Sequence, residues 1–397
     1  MQDQDVAETK SLNPIVFRLG LVSFFADVAS EMLYPITPIF MTTVLGASMT
    51  SVGLIEGIAE AIASLMKTFS GSWSDRISQR KPFIFAGYLL GALAKPLIGV
   101  SWSPWGVMFA RGIDRTGKGL RSAPRDAMIA DSVPFEKRGE AYGWHRGMDT
   151  LGAAVGPLCT ILLLTSNPTD LRALYFWALI PGLLSVFIIC TVREKKTVQQ
   201  TKKWKNPLFL WKQLDKPFHH YVYVWGLFSL VNSSDVFLLM KAKSSGLSIE
   251  TVILLYCGYN LIYAISSPWL GKLSDKIARK KLLIAGLLIF TFVYLGFGFA
   301  NSAWHFWCLF LFYGLYMGAT DGVGKALAID FLPNDLHATG LGLIGTVTGF
   351  CTIFASLFAG ILWDQFGSVY TFIYGAAGAM AAAIFFMFVN AQQVRKI

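Results

Sequence analysis

Apolar residues gather into twelve stretches of about 20 residues or more, separated by polar connections. They run approximately over 15–43, 50–74, 82–101, 104–131, 137–165, 170–192, 219–243, 249–274, 282–300, 303–331, 338–363 and 368–391. A helix of ~20 residues rises ~30 Å, the thickness of a hydrocarbon core, so each stretch predicts one membrane span. Several are longer and are expected to tilt or protrude. The one long polar connection, 193–218, divides the chain into two sets of six spans. It carries eight cations, interspersed with Trp204, Phe209, Trp211 and Phe218. A basic inter-domain linker and an amphipathic segment lying on anionic lipid both fit that pattern. The first 13 residues are polar, and no small-residue cleavage site follows the first span, which therefore reads as an uncleaved helix.

Composition points the same way. The chain is 54% apolar and 15% charged, with a mean hydropathy of +0.52; soluble domains carry about 25% charge. With both termini inside, 22 of the 34 Lys and Arg residues fall in cytoplasmic segments and three outside (Arg172, Lys241, Lys243). Positive-inside bias therefore sets this orientation in a cell membrane, here expected to be a bacterial inner membrane. The net charge of +10 is mostly topology, and its spread over membrane loops argues against a nucleic-acid partner. The five cysteines show no metal or redox spacing and read as packed free thiols.

Nine cations remain within spans, eight of them in the first half. The fourth span holds Arg111, Arg115, Lys118, Arg121 and Arg125 with Asp114 and Asp126. At ~100° per residue these seven project within an arc of roughly 140°. One central Lys or Arg facing lipid costs ~2.5–3.5 kcal/mol, so this face must meet a wet cavity or acidic partners. Acids are available: Asp27 and Glu31 in span 1, Glu56 and Glu60 in span 2, Glu140 and Asp149 in span 5. Depth places Glu56 and Glu60 near Arg111 and Arg115, and Asp149 near Arg121 or Lys118. His145 and Asp149 share a helix face. The second half carries Asp235 in span 7, and Asp321 and Lys325 in span 10, with Asn232, Asn260 and several tyrosines. Each such charge is either a structural ion pair or part of a solute path. Asp27 and Glu31, one turn apart, cannot both ionise cheaply. They suit a proton-coupling role, unless the cations of span 4 neutralise them permanently.

The loop 71–81, GSWSDRISQRK, recurs 200 residues later as GKLSDKIARKK at 271–281. A charged loop repeated at half the chain length marks an internally duplicated membrane protein. It resembles the signature loop of the major facilitator superfamily, with Ser78 and Ala278 where the family has Gly. The resemblance extends over the whole chain. Arg115 with Gly119 is similar to the family's helix-4 pattern. Gly143, Gly152, Gly156 and Pro157 resemble the helix-5 motif of proton-exchanging exporters, with Thr160 in place of its last Gly. Residues 127–139 and 328–340 echo each other, Asp131 with Asp330 and Pro134 with Pro333 at an offset of 199. The stretches SAPRDAMIADS and TDGVGKALAID resemble a bacterial permease branch of unassigned substrate. Gly112–Lys118 fits seven places of a phosphate-binding loop, but Gly119 stands where Ser or Thr is required and no strand precedes it.

The resemblance implies an all-α membrane protein with twelve helices in two pseudo-symmetric six-helix bundles. The domains are expected at 1–192 and 219–397, joined by the cytoplasmic linker 193–218. It further implies a central cavity lined by helices 1, 4, 7 and 10, which hold most of the candidate residues above. Gly71, Asp75, Arg76 and Arg80, and Gly271, Asp275, Lys276 and Lys280, are implied to act in gating, and Gly152, Gly156 and Pro157 as a hinge. The expected activity is secondary transport, coupled to protons, of a small polar solute with anionic character, with export favoured over uptake of a carboxylate-bearing nutrient or metal chelate. A receptor or scaffold that kept the fold is the other class left open. Neither a nucleophile–base pair nor a ligand cluster for a metal or cofactor is legible, so an enzyme is the least supported class. The expected partners are the solute, protons and lipid, with the chain acting as a monomer.

Overall fold

A computed structural model describes residues 13–77, 79–134, 138–166, 170–194, 214, 216–332 and 337–388, without the side chains of 72, 75, 138–140, 166, 275 and 337–339. Among the described residues there are fifteen α-helices and no strands. The first half contains α1 (Pro14–Glu31), α2 (Ile36–Thr43), α3 (Met49–Ile77), α4 (Lys81–Gly99), α5 (Pro104–Ser132), α6 (Arg138–Ser166), α7 (Leu171–Trp177) and α8 (Leu179–Thr191). The second contains α9 (Lys216–Ser229), α10 (Val236–Ser244), α11 (Ile249–Lys276), α12 (Arg279–Phe299), α13 (Ala303–Asp330), α14 (His337–Phe366) and α15 (Ser368–Phe388). These make twelve passages, because α1–α2, α7–α8 and α9–α10 each form one passage in two pieces. The linker expected at 193–218 falls almost wholly outside the described residues.

Local chemistry explains many ends. Asn13 caps α1 just before Pro14, and Ser103 caps α5 just before Pro104. Asp170 accepts from the amides of Arg172 and Ala173 at the start of α7. The break after α1 lies at Pro35, which lacks an amide hydrogen and clashes with the carbonyl one turn back. The break after α9 spans 230–235, LVNSSD, whose Asn, Ser and Asp side chains compete with helical backbone bonds. The two breaks coincide at the offset of 200.

Each half packs around its own helices. α1 lies on α6 and α8, and α5 is held between α3 and α4; α13 lies between α11 and α12. Small residues permit the closest approaches. A Cβ on Gly117 would stand 2.5 Å from the Gly87 carbonyl, and one on Gly152 would stand 2.5 Å from that of Phe24. The halves meet chiefly through α3 with α14, and through α6 with α11. At the end away from the duplicated loops, the backbones of α3 and α14 touch: a Cβ on Gly57 would lie 2.7 Å from Ile353 Cα. A single apolar cluster there includes Ile36, Phe40, Val52 and Ile55 from the first half and Val236, Phe237 and Ile253 from the second. The carboxylate of Asp364, at the end of α14, accepts from the Met49 amide (3.0 Å), the Thr50 amide (2.7 Å) and the Thr50 hydroxyl (2.6 Å). One bundle therefore caps the first turn of a helix in the other. Toward the loop end, Gly143 and Gly147 of α6, Gly322 of α13, and Gly342 and Gly345 of α14 face open space.

Candidate functional site

The charged face of α5 divides into paired and unpaired cations. Arg111, 7% exposed, donates through Nη2 to both oxygens of Glu56 at 2.5 Å. Arg115 lies 3.4 Å from Glu60 and 3.8 Å from Asp114. Asp114 is a hub that also meets Lys95 at 3.7 Å and Arg111 at 4.0 Å. The pairing of Glu56 and Glu60 with Arg111 and Arg115 follows from the matched depths of α3 and α5, which run in the same direction. Arg125 binds Asp126 at 3.0 Å and Ser23 Oγ at 3.1 Å. These contacts join α1, α3, α4 and α5, and they explain how the chain tolerates so much buried charge.

Two cations stand apart. Arg121 is 6% exposed, and its guanidinium stacks over the Tyr88 ring at 4.3 Å. Its Nε is buried with no acceptor, and no described residue forms an ion pair with it. Lys118, one turn away, is exposed and likewise unpaired among the described residues. Its charge nevertheless interacts with Arg115, Glu60, Asp27 and Glu31, which places it inside the ring of helices and not on their outer surface.

Asp27 on α1 interacts electrostatically with Asp149, Arg121, Glu31 and Lys118. On α6, His145 Nδ1 lies 3.8 Å from Asp149, and its Nε2 lies 2.7 Å from Ser23 Oγ. Asp149 Oδ1 is buried without a partner. The structure thus brings Asp27, Asp149 and His145 together, with Arg121 and Lys118 beside them. Glu31 turns instead toward the second half, where it accepts from the Tyr256 hydroxyl. The hinge candidates Gly152 and Gly156 pack against the α1 backbone, and Thr160, which replaces the motif's last Gly, donates to the Met32 carbonyl at 2.7 Å, where α1 ends.

In the second half, Asp235 sits at the α9–α10 break and accepts from Tyr313 at 2.5 Å and Tyr259 at 2.9 Å. Asp321 accepts from Lys325 at 2.7 Å and from Tyr263 at 2.8 Å. Arg146 donates to the Tyr263 hydroxyl at 3.3 Å, so this chain of bonds crosses between bundles. The tyrosines that hold Glu31 and Asp235 were not singled out by sequence reasoning; a run of them along α11 (Tyr256, Tyr259, Tyr263) was the available signal.

Among the gating candidates, Gly71 packs 3.3 Å from Ala123 by its virtual Cβ, Gly271 faces open space, and Arg76 and Lys276 are exposed. The side chains of Asp75 and Asp275 lie outside the described residues. Arg80 bonds Asp131 at 3.0 Å, while its amide and that of Lys81 donate to Glu194. In the second copy Arg279, not Lys280, repeats the bond, to Asp330 at 2.6 Å. Arg80 and Arg279 are 199 residues apart, as are Asp131 and Asp330, so the offset of the aspartates governs. Lys280 donates to the Met387 carbonyl.

Eight helical passages are long and apolar enough to cross a membrane by composition alone. The other four are α1–α2, α5, α9–α10 and α13, which carry most of the unpaired or tyrosine-held charge described above, Asp149 and Arg146 of α6 being the exceptions. A twelve-passage protein whose first, fourth, seventh and tenth passages are the broken or charge-bearing ones has the architecture of a secondary transporter. The profile of the Major Facilitator Superfamily matches residues 19–256 and 236–396, and the chain belongs to that family. It is 34% identical over 386 residues to an uncharacterized MFS-type transporter of Methanocaldococcus jannaschii, covering 96% of each chain. Over 126 residues, about a third of each chain, it is 27% identical to the multidrug resistance protein MdtH of Salmonella paratyphi B. In fold it is similar to a D-xylose-proton symporter (TM-score 0.75, 18% identity, 94% and 96% of the chains) and to the nucleoside transporter NupG (TM-score 0.77, 12% identity, 95% and 99%). It is a multi-pass integral membrane protein of a family that carries small-molecule solutes.

Proposed function

We propose that this chain is a proton-coupled secondary transporter that moves a small polar solute bearing an anionic group across a bacterial inner membrane by alternating access. The observation that carries this reading is the pair Lys118 and Arg121. Most of the charge on α5 is consumed by ion pairs, but these two cations form no ion pair within 4.0 Å with a described residue, and the acids that interact with them, Asp27 and Glu31 among these, stand off from them. A carboxylate or phosphate would supply the missing acceptors through charge-assisted hydrogen bonds. Asp27, Asp149 and His145 beside them are suited to load and release a proton, since a carboxyl among like charges in a dry setting changes its protonation readily. Assigning the Lys- and Arg-rich end to the cytoplasm makes the sealed end external and the open glycines internal, an inward-facing arrangement. Export is the favoured direction, on the helix-5 glycine–proline pattern and the partial likeness to a multidrug resistance protein.

Reconstituted vesicles carrying a pH-sensitive dye in the lumen test this directly. An anionic solute added outside should move protons, and an imposed pH gradient should drive its accumulation. Arg121→Gln should abolish both; Asp27→Asn should abolish pH-driven accumulation but preserve solute exchange. Solute flux indifferent to pH would remove the coupling, and no flux with any solute would favour the receptor or scaffold class.

A further inference from the structure

We propose that the cavity has a second, acidic pole, formed by Glu31 and Asp235 in a box of tyrosines, and that the solute is amphoteric. Its anionic group would meet Lys118 and Arg121, and an ammonium group would meet the two carboxylates. The proposal rests on the transport reading for its biological role but not for its binding chemistry.

Glu31 and Asp235 flank corresponding breaks, from opposite sides. One closes α1 and the other precedes α10, at the breaks that coincide at the repeat offset. Irregular backbone at membrane depth is tolerated where it lines a cavity, and interrupted helices at corresponding places in two halves point to a binding site. Their partners then set these two acids apart: like Asp27 they lack a close cation, but unlike it they are held by tyrosines. Glu56, Glu60, Asp114, Asp126 and Asp321 each lie within 4.0 Å of a cation. Glu31 and Asp235 have no such partner among the described residues, and their hydrogen-bond donors are neutral tyrosine hydroxyls.

The surroundings favour an organic cation. Tyr34 stacks on Tyr256 at 5.2 Å, Tyr256 meets Tyr259 edge-on at 5.3 Å, and Tyr259 meets Tyr313 edge-on at 5.4 Å. Ring faces carry negative quadrupole density and attract ammonium groups. An independent observation lies at the other pole: Arg121 is 6% exposed, its buried Nε has no acceptor, and unlike Arg111 and Arg115 it forms no ion pair with a described residue. One pole thus holds cations, and the other carboxylates, that no described residue of opposite charge approaches within 4.0 Å. A single solute with both charges would satisfy each pole and bring no net charge into a poorly solvated interior, where net charge is costly. Lys118 and Glu31, which interact electrostatically, mark where the two poles adjoin.

The test uses the purified full chain and two matched trios at pH 7: 5-aminopentanoate, pentanoate and pentylamine; and phenylalanine, 3-phenylpropanoate and 2-phenylethylamine. Binding is read as a shift in unfolding temperature titrated against concentration. The expected result is that the amphoteric member of at least one trio binds at least tenfold tighter than either singly charged member. Asp235→Asn and Glu31→Gln should erase that preference by weakening the amphoteric member while sparing the anion. Tyr313→Phe, which keeps the ring and removes one bond to Asp235, should reduce the preference several-fold and serves if the carboxylate variants do not fold. Equal binding of the anion and the amphoteric member, a preference unchanged in the variants, or no binding by either amphoteric compound would overturn the proposal. Vesicle flux separates it from the transport reading: tight amphoteric binding without flux sinks transport and leaves the acidic pole standing.

Discussion

Removing the carboxylate of Asp364 should loosen the sealed end of the protein. Three donors from the start of α3 converge on it, two amides and the Thr50 hydroxyl, at 2.6–3.0 Å. Those amides belong to the first turn of a helix, where backbone donors have no intrahelical acceptor and the dipole favours negative charge. Helix caps of this kind contribute ~0.5–2 kcal/mol, and because Asp364 is exposed we take ~1 kcal/mol. This stabilisation exists only while α14 lies against α3, so its loss acts on the closed state alone. At 1.4 kcal/mol per tenfold, Asp364→Ala should raise the open-to-closed ratio at this end about fivefold. Asp364→Asn keeps an acceptor oxygen without the charge and should fall between.

Val52, fully buried in the apolar cluster shared by the bundles, provides the readout. In a background with the five native cysteines replaced by alanine, Val52→Cys should react with a maleimide at a rate proportional to the open fraction. The expected order of rates is Ala variant, Asn variant, parent, with the first about five times the last. Equal rates in all three, with unchanged unfolding temperatures, would refute the latch.

Other expectations follow from the same geometry. Glu56→Gln strands Arg111 in the interior and should cost ~3–5 kcal/mol, seen as a large fall in unfolding temperature; the double variant with Arg111→Met should recover most of it. Gly57→Leu places a side chain where Ile353 Cα lies 2.7 Å from a virtual Cβ, so it should hold this end open and raise Val52→Cys labelling more than Asp364→Ala does. Gly152→Ala would press on the Phe24 carbonyl and should destabilise the α1–α6 pair by ~1–3 kcal/mol on thermal unfolding. Arg279→Gln should slow solute flux more than Lys280→Gln, because only Arg279 reaches Asp330.

Span positions were legible to within a few residues because caps and prolines sit where hydropathy changes. The stretch read as 104–131 is the helix Pro104–Ser132, bounded by Ser103 and Pro104. The Glu56–Arg111 and Glu60–Arg115 pairs were also legible, since the second and fourth passages enter from the same side and match in depth residue for residue. The Asp114 hub was not: Asp114 lies on the same face as two arginines, and choosing Lys95 as its third partner requires knowing how α4 is rotated. Arg279 was missed because the loops were aligned on their basic residues at 200, whereas the aspartates that receive them repeat at 199.

The helix breaks were the largest omission, and the reason is physical. Hydropathy reports whether a residue prefers lipid to water, and a broken passage of Leu, Val and Phe satisfies that as well as an intact one. What changes at a break is the continuity of backbone hydrogen bonds, which only Pro35 and the run Asn232–Asp235 betray. Their significance appears when the two halves are superposed in sequence, since either alone could be a local irregularity. Backbone groups freed from a helix at membrane depth must be satisfied by protein or face a wet space. Two such sites at one repeat position are costly to keep unless something is held there. That cost, together with carboxylates lacking cationic partners beside both breaks, locates the candidate site at the junction of α1, α5, α9–α10 and α11.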